Sequence, residues 1–90
     1  MASDMKNGTL EINVLFFSVL REKLGRTSQM VTLEPGATGA DLIDKLAESN
    51  QVIDEYRQVI RLAINTGYAK DSQVLDNGDE VALITPVSGG

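Results

Sequence analysis

Apolar and polar residues alternate in the first patterned stretch of the chain, which is typical of a half-buried strand. We predict this strand over residues 9–17 and a short helix after it. The helix should run from Ser18, as its cap, to Leu24, with Gly25 as its stop. Four apolar side chains of the strand point to one face: Leu10, Ile12, Val14 and Phe16.

The clearest helix of the chain follows a second strand. That strand is predicted over residues 29–33 and is closed by the turn pair Pro35-Gly36. Thr38 suits the N-cap position, and Asp41 three residues later can complete a capping box. An apolar stripe then recurs at helical spacing, at Leu42, Ile43, Leu46 and Ala47.

The second half of the chain returns to the sheet. Ser49-Asn50 interrupts the helix, and helical spacing over residues 52–60 predicts a shorter second helical piece. Three strands should follow it, at residues 62–64, 68–69 and 80–85, with turns at 65–67 and 76–79 between them.

This order of elements predicts an α+β fold, with a mixed sheet of about five strands packed on one main helix. The first and last strands carry the densest apolar runs, so we expect them to be parallel neighbours at the centre of the sheet. We assign residues 9–86 to one domain, residues 1–8 to a disordered lead and residues 87–90 to a flexible tail.

Composition excludes several kinds of chemistry. The chain has no cysteine and no histidine, so the commonest nucleophile–base pairs cannot be built and the usual nitrogen and thiolate metal ligands are missing. Its net charge of −5 argues against nucleic acid and favours either basic partner surfaces or plain solubility. Neither a membrane-spanning run nor a secretory signal is present in the sequence, and we expect a cytoplasmic protein.

The sequence ends on Gly89-Gly90, directly after the predicted final strand. Two glycines make a slender segment that can enter a narrow channel. A terminal carboxylate is ionised at neutral pH and must be activated before it can donate an acyl group. These features favour a protein whose own end reacts, although a frayed glycine-rich end is the alternative.

Several of these residues together resemble the sulfur-carrier proteins of the ubiquitin-like β-grasp type. The similarity is strongest to the family of molybdopterin synthase small subunits and spans residues 9–90. One departure is Thr85, where that family commonly has a second proline, and we expect it to loosen the tail slightly. The matching elements are Phe16-Phe17, Leu20-Arg21-Glu22, Gly25, Ala63-Ile64-Asn65, Asp71, residues 75–82 and residues 86–90.

The resemblance implies a non-catalytic subunit that donates sulfur. A ubiquitin-activating-type enzyme would use ATP to adenylate Gly90, and a sulfur donor would convert the adenylate to a thiocarboxylate. The tail would then enter the large subunit of the synthase and pass sulfur to a cyclic pterin phosphate. No cofactor or metal is expected on the chain itself.

The resemblance also assigns roles to individual residues. Gly90 would react, and Gly89 would give access to the partner's channel. Five residues are expected to contact partners: Ser88, Val87, Pro86, Phe17 and Arg21.

Some of these roles have structural alternatives. Alternation puts one ring of Phe16-Phe17 in the core and the other on the opposite face, where it can either pack or join a docking patch. Arg21 can instead form a surface ion pair with Glu22. Residues 76–79 are expected to be a turn rather than a site.

Three other functions fit the same features. The chain could carry sulfur for thiamine, for tRNA thiolation or for cysteine synthesis. It could also be a ubiquitin-like modifier joined to lysines of target proteins, or a plain interaction domain. The pterin route is favoured by residues 75–82 and 86–90.

Overall fold

The computed structural model describes residues 8–85. The predicted lead over residues 1–8 therefore lies outside the described residues except for Gly8, and Pro86 and the predicted tail over residues 87–90 lie wholly outside them. Eight elements follow one another: β1 (Leu10–Phe16), α1 (Ser18–Leu24), β2 (Ser28–Leu33), α2 (Gly39–Ser49), α3 (Gln51–Tyr56), β3 (Arg61–Ile64), β4 (Gly67–Ala69) and β5 (Glu80–Ile84).

All five strands form one mixed sheet in the order β2-β1-β5-β3-β4. β1 and β5 are parallel neighbours, with Val14 opposite Val81, and β1 pairs antiparallel with β2. β5 also pairs antiparallel with β3, which leaves β5 between two strands. The predicted fold class and the parallel central pair are both confirmed.

Helix α2 begins with the predicted capping box. The Asp41 amide donates to Thr38 Oγ1 (3.3 Å), and the Thr38 amide donates to Asp41 Oδ2 (2.9 Å). These bonds satisfy donors that a helix start otherwise leaves unpaired. The helix packs its apolar stripe on the sheet, burying Leu42, Ile43 and Leu46.

The loop before β5 closes over the same helix end. The amides of Gly39 and Ala40 donate to the carbonyl oxygens of Gln73 (3.1 Å) and Asp71 (2.9 Å). A Cβ added at Gly39 would overlap Leu62 Cδ1, whose side chain is buried in the core. Glycine therefore allows helix, loop and sheet to approach closely at this point.

One hydrophobic core lies between the sheet and the helices. The inward-facing residues of β1 and β5 are fully buried and meet the buried side chains of all three helices. Burying each such side chain stabilises the fold by about 1.5–3 kcal/mol. The largest buried side chains are Phe16, Ile12, Leu20, Leu42, Leu46, Ile53, Leu62, Leu75 and Leu83.

Two helix boundaries differ from the prediction. Ser18 does not cap α1: it is the first helical residue, with φ of +50°, and Phe17 occupies the N-cap position without a side-chain bond. The second helical piece ends at Tyr56 rather than Ile60. The Val59 amide bonds the Tyr56 carbonyl (2.9 Å), and this turn leaves Val59 exposed while Ile60 enters the core.

Candidate docking surface where the chain leaves the sheet

Strand β5 is the last element before the C-terminal tail. The strand ends at Ile84, and Thr85 after it is buried, with 7% of its surface exposed. Five residues with predicted roles lie outside the described residues: Pro86, Val87, Ser88, Gly89 and Gly90. Their roles therefore stay predictions.

The two faces of β5 have different surroundings. Val81 and Leu83 point into the core and are fully buried. Ala82 and Ile84 alternate with them and are only partly buried on the opposite, outer face. Register places Leu15 of β1 beside Ala82 on that face.

These outer side chains form a shallow depression of about 280 Å³. Phe17, 38% exposed, and Tyr68, 78% exposed, contribute aromatic surface to it. Exposed aromatic and aliphatic side chains in one patch are characteristic of protein-binding sites. We call the apolar side chains of this depression the outer apolar surface. Its members are Leu15, Phe17, Ala63, Tyr68, Ala82 and Ile84.

The structure answers the open question about the paired phenylalanines. Phe16 is 1% exposed and packs in the core, whereas Phe17 stays partly exposed and lines the outer depression. The one-residue offset between them crosses from one face of the sheet to the other, as strand geometry requires. Phe17 is therefore available to a partner.

The turn before β5 fixes where the strand begins. Residues 76–79 form the predicted turn, and the Asp79 carboxylate accepts from the Asp76 amide (2.8 Å) and from Asn65 Nδ2 (2.9 Å). Asn65 Oδ1 in turn accepts from the Glu80 amide (3.0 Å). These bonds tie the start of β5 to the end of β3.

The same turn is bonded to β1. Asn77 Oδ1 accepts from the Glu11 amide (2.8 Å), and the Gly78 amide donates to the Glu11 carbonyl (2.9 Å). Gly78 has φ of +89°, a conformation that side-chain-bearing residues rarely adopt. The turn belongs to residues 75–82, one of the blocks that match the family, and it thus sets the register of β5.

A strained residue stands at the rim of the depression. The β3–β4 turn holds Thr66 at φ of +74°. For a β-branched residue this conformation is uncommon and costs about 1–3 kcal/mol. Thr66 lines the depression, so the strain lies next to the candidate docking surface.

Charged residues are distributed unevenly around this surface. Glu80 lines the depression, and Arg61 pairs in register with Ile84 and is exposed beside it. Arg21 is exposed on α1 but is not among the residues lining the depression.

The salt bridges within residues 8–85 join Arg57 to Asp44 and Asp54, so the alternative Arg21–Glu22 ion pair is not formed. The pKa of Arg57 is raised, chiefly by its hydrogen bond to the Asp44 side chain.

Sequence reasoning missed most of the outer apolar surface. The apolar residues on the second face of β5 predicted a central strand, which is correct, but they gave no sign of a docking site. Tyr68 is isolated in the sequence and reaches the surface only because β4 pairs with β3, with Tyr68 opposite Ala63. The sequence shows apolar residues at outward positions of four strands, but they become one surface only when those strands pair.

A sequence model of the ThiS family matches residues 14–90 of this chain. The chain belongs to the ThiS family. The match covers β1 from Val14 onward, all the helices and the segment after β5. It confirms the resemblance to sulfur-carrier proteins.

The chain is also similar to a plant protein. It is 34% identical over 82 residues to the molybdopterin synthase sulfur carrier subunit of Arabidopsis thaliana, covering 91% of this chain and 85% of that protein. The shared region includes nearly the whole folded domain. By homology, the chain is related to molybdopterin synthase sulfur carrier subunits.

Solved structures confirm the β-grasp fold. The crystal structure of SAMP1 from Haloferax volcanii superposes with a TM-score of 0.76 at 28% identity, covering 89% of this chain and 99% of that one. A complex of subunits 1 and 2 of the molybdopterin-converting factor from Helicobacter pylori contains a chain with a TM-score of 0.64 at 20% identity, with 90% and 100% covered. In residues 8–85 no helix combines the length and hydropathy needed to cross a bilayer.

Proposed function

We propose that this chain is the sulfur carrier of molybdopterin synthase. Its Gly90 carboxylate is adenylated, converted to a thiocarboxylate and presented to a large synthase subunit, which holds the pterin substrate. The observation that carries the proposal is the outer apolar surface, which adjoins the strand leading to Gly89-Gly90. Membership of the ThiS family and similarity to sulfur carrier subunits support it.

The tail does the chemistry with reagents that its partners supply. A carboxylate oxygen of Gly90 attacks the α-phosphorus of ATP, and pyrophosphate leaves. The outer sulfur of a donor persulfide then attacks the acyl carbon, and AMP leaves, which gives an acyl disulfide. A thiol cleaves its S–S bond, forms a disulfide with the donor sulfur and leaves the thiocarboxylate on Gly90. The chain has no thiol that would intercept the acyl-adenylate, and no bound cofactor takes part.

The folded body docks while the tail reacts. Phe17, Tyr68 and Ile84 present apolar area on the outer face of the sheet, and Ile84 ends the strand that precedes the tail in sequence. Burying this area against a partner supplies binding free energy and fixes the direction of the tail. The Helicobacter pylori complex of subunits 1 and 2 provides a precedent for such an assembly among proteins of this fold.

The chemical step is tested by intact-mass analysis. The chain is incubated with an adenylating enzyme, ATP and a sulfur donor. The conditions are reducing, as in the cytosol, where we propose that the chain works. We expect the mass gain that results when sulfur replaces one oxygen. A variant with one alanine added after Gly90 should gain none, whereas a variant extended at Met1 should be modified normally. Modification of the variant extended after Gly90 would refute the assignment of Gly90.

The docking step needs a separate measurement. Ile84→Asp places a charge in the outer apolar surface and should weaken binding to the large subunit by at least about tenfold, or 1.4 kcal/mol. Val59→Asp is the matched control, because Val59 is also an exposed apolar residue but lies outside that surface. Equal affinities of the two variants would show that the partner docks elsewhere.

A second candidate function is a protein modifier. The favouring observation is the 28% identity to SAMP1 of Haloferax volcanii, a protein whose full name is small archaeal modifier protein 1. A modifier would end in an amide bond to a lysine of a target protein, without exchange of oxygen for sulfur. Lysine-linked conjugates in lysate, with no thiocarboxylate formed by the purified system, would favour this function over the carrier.

A further inference from the structure

The two edges of the sheet are protected differently. β4, at one edge, has three residues, too few to offer a long ladder. β2, at the other edge, has six residues, and its sequence Ser28-Gln29-Met30-Val31-Thr32-Leu33 holds no charge, proline or glycine. Natural proteins usually shorten, charge or interrupt an edge strand to prevent pairing. β2 lacks each of these safeguards.

Register shows which backbone groups of β2 face outward. The Phe16 amide donates to the Thr27 carbonyl (2.9 Å), so this pair is hydrogen-bonded across β1 and β2. Bonded and non-bonded pairs alternate in an antiparallel ladder. The odd-numbered residues of β2 therefore bond to β1, and the N–H and C=O groups of Ser28, Met30 and Thr32 point away from the sheet.

We propose that β2 is a self-association edge, through which two copies of this chain pair antiparallel about a two-fold axis beside Met30. In this register Met30 faces Met30 of the second copy, Ser28 faces Thr32, and Thr32 faces Ser28, which makes three pairs. All three pairs join outward-pointing residues and can exchange two hydrogen bonds each. This inference is independent of the proposed function.

Charge selects this register over its neighbours. Arg26 and Glu34 are exposed just beyond the two ends of β2, and the two-fold at Met30 places each opposite the other in the second copy. Arg26 Nη1 donates to Gln29 Oε1 (2.9 Å), which keeps the guanidinium beside the strand. If the partner strand were shifted by two residues in either direction, Arg26 and Glu34 would each face an uncharged residue of the second copy. The arrangement thus gains two ion pairs between copies that each carry a net charge of −5.

The pairing leaves the rest of the molecule accessible. The outer apolar surface draws on β1, β5, β3 and β4, and none of the residues lining its depression belongs to β2. β5 is separated from β2 by β1, so the strand that leads to the tail is not covered. A dimer formed through β2 would therefore present two docking surfaces and two tails.

Charge reversal tests both the interface and its register. We expect sedimentation velocity, at concentrations up to roughly 1 mM, to show wild-type dimer. Arg26→Glu alone and Glu34→Arg alone should each weaken association by at least about tenfold, because each variant sets like charges opposite one another twice. An equimolar mixture of the two variants should restore the dimer, since each copy then meets the opposite charge at both ends.

Cross-linking checks the two-fold position independently. The chain has no cysteine, so Met30→Cys introduces a single thiol that should lie about 5.5 Å, Cα to Cα, from its copy. A short bis-maleimide should join two copies efficiently. Thr32→Cys is the matched control, because its two copies would be offset by about 13 Å along the strands.

Three results would overturn the proposal. A wild-type chain that stays monomeric over the whole concentration range has no self-association edge. Failure of the two charge variants to associate with each other would rule out the stated register. Cross-linking of Thr32→Cys as efficient as that of Met30→Cys would rule out the two-fold at Met30. Circular dichroism of each exposed-site variant verifies that the fold is intact.

Discussion

The adjacent residues Phe16 and Phe17 allow folding and docking to be separated with the same substitution. Phe16 is 1% exposed in the core, and Phe17 is 38% exposed on the outer apolar surface. Changing each in turn to alanine removes the same atoms from opposite faces of the sheet. The two variants therefore differ only in what those atoms touch.

The expected loss of stability is larger for the buried ring than for the exposed one. Truncating a fully buried phenylalanine costs about 3–5 kcal/mol, a large share of the roughly 5–15 kcal/mol that stabilises a typical domain. Phe17 buries only about three-fifths of its surface, so Phe17→Ala should cost about 1–2 kcal/mol. Phe17 occupies the N-cap position of α1 but makes no capping bond with its side chain, so its removal costs no capping energy.

The expected losses of binding affinity have the opposite order, with Phe17→Ala losing more than Phe16→Ala. Phe17→Ala should weaken binding to the large subunit by at least about tenfold, because an exposed aromatic side chain is a typical anchor of an interface. Phe16→Ala should leave the affinity of the folded fraction unchanged. Val59→Ala controls for loss of exposed apolar area outside the surface.

Urea unfolding followed by circular dichroism gives the free energies of unfolding, and isothermal titration with the large subunit gives the affinities. A loss of about 3 kcal/mol or more for Phe17→Ala would show that its ring is part of the core. Wild-type affinity for Phe17→Ala would remove Phe17 from the docking surface.

Three further substitutions test the structure around the site. Gly39→Ala should destabilise by about 1–3 kcal/mol despite alanine's higher helix propensity, because its Cβ would overlap Leu62; a rise in the thermal midpoint would contradict this. Asp79→Ala removes the acceptor of two bonds that fix β5 and should cost about 1–3 kcal/mol in urea unfolding; an unchanged midpoint would show that the turn holds without it. Thr66→Gly should raise the free energy of unfolding by about 1 kcal/mol by relieving the positive φ, and a loss instead would mean that the threonine side chain contributes more than its strain costs.

Local patterns in the sequence determined most of the secondary structure. Alternation located β1 and β5, and the Thr38–Asp41 capping box set the start of α2. The strands lie within one residue of the predicted ranges, because a period of two is carried by the residues themselves. The end of the second helical piece was misplaced where tertiary contacts override spacing: the chain turns after Tyr56 so that Ile60 can enter the core and β3 can begin.

The end of the chain could also be interpreted from sequence, since two glycines and a carboxylate have the same chemistry in any fold. The outer apolar surface could not be predicted, because its members lie on four strands and are brought together only by their pairing. The same holds for the edge of β2: its lack of charge is visible in the sequence, but its position at the edge is not. Strand order and register depend on contacts between residues far apart in the chain, and only the tertiary structure decides them.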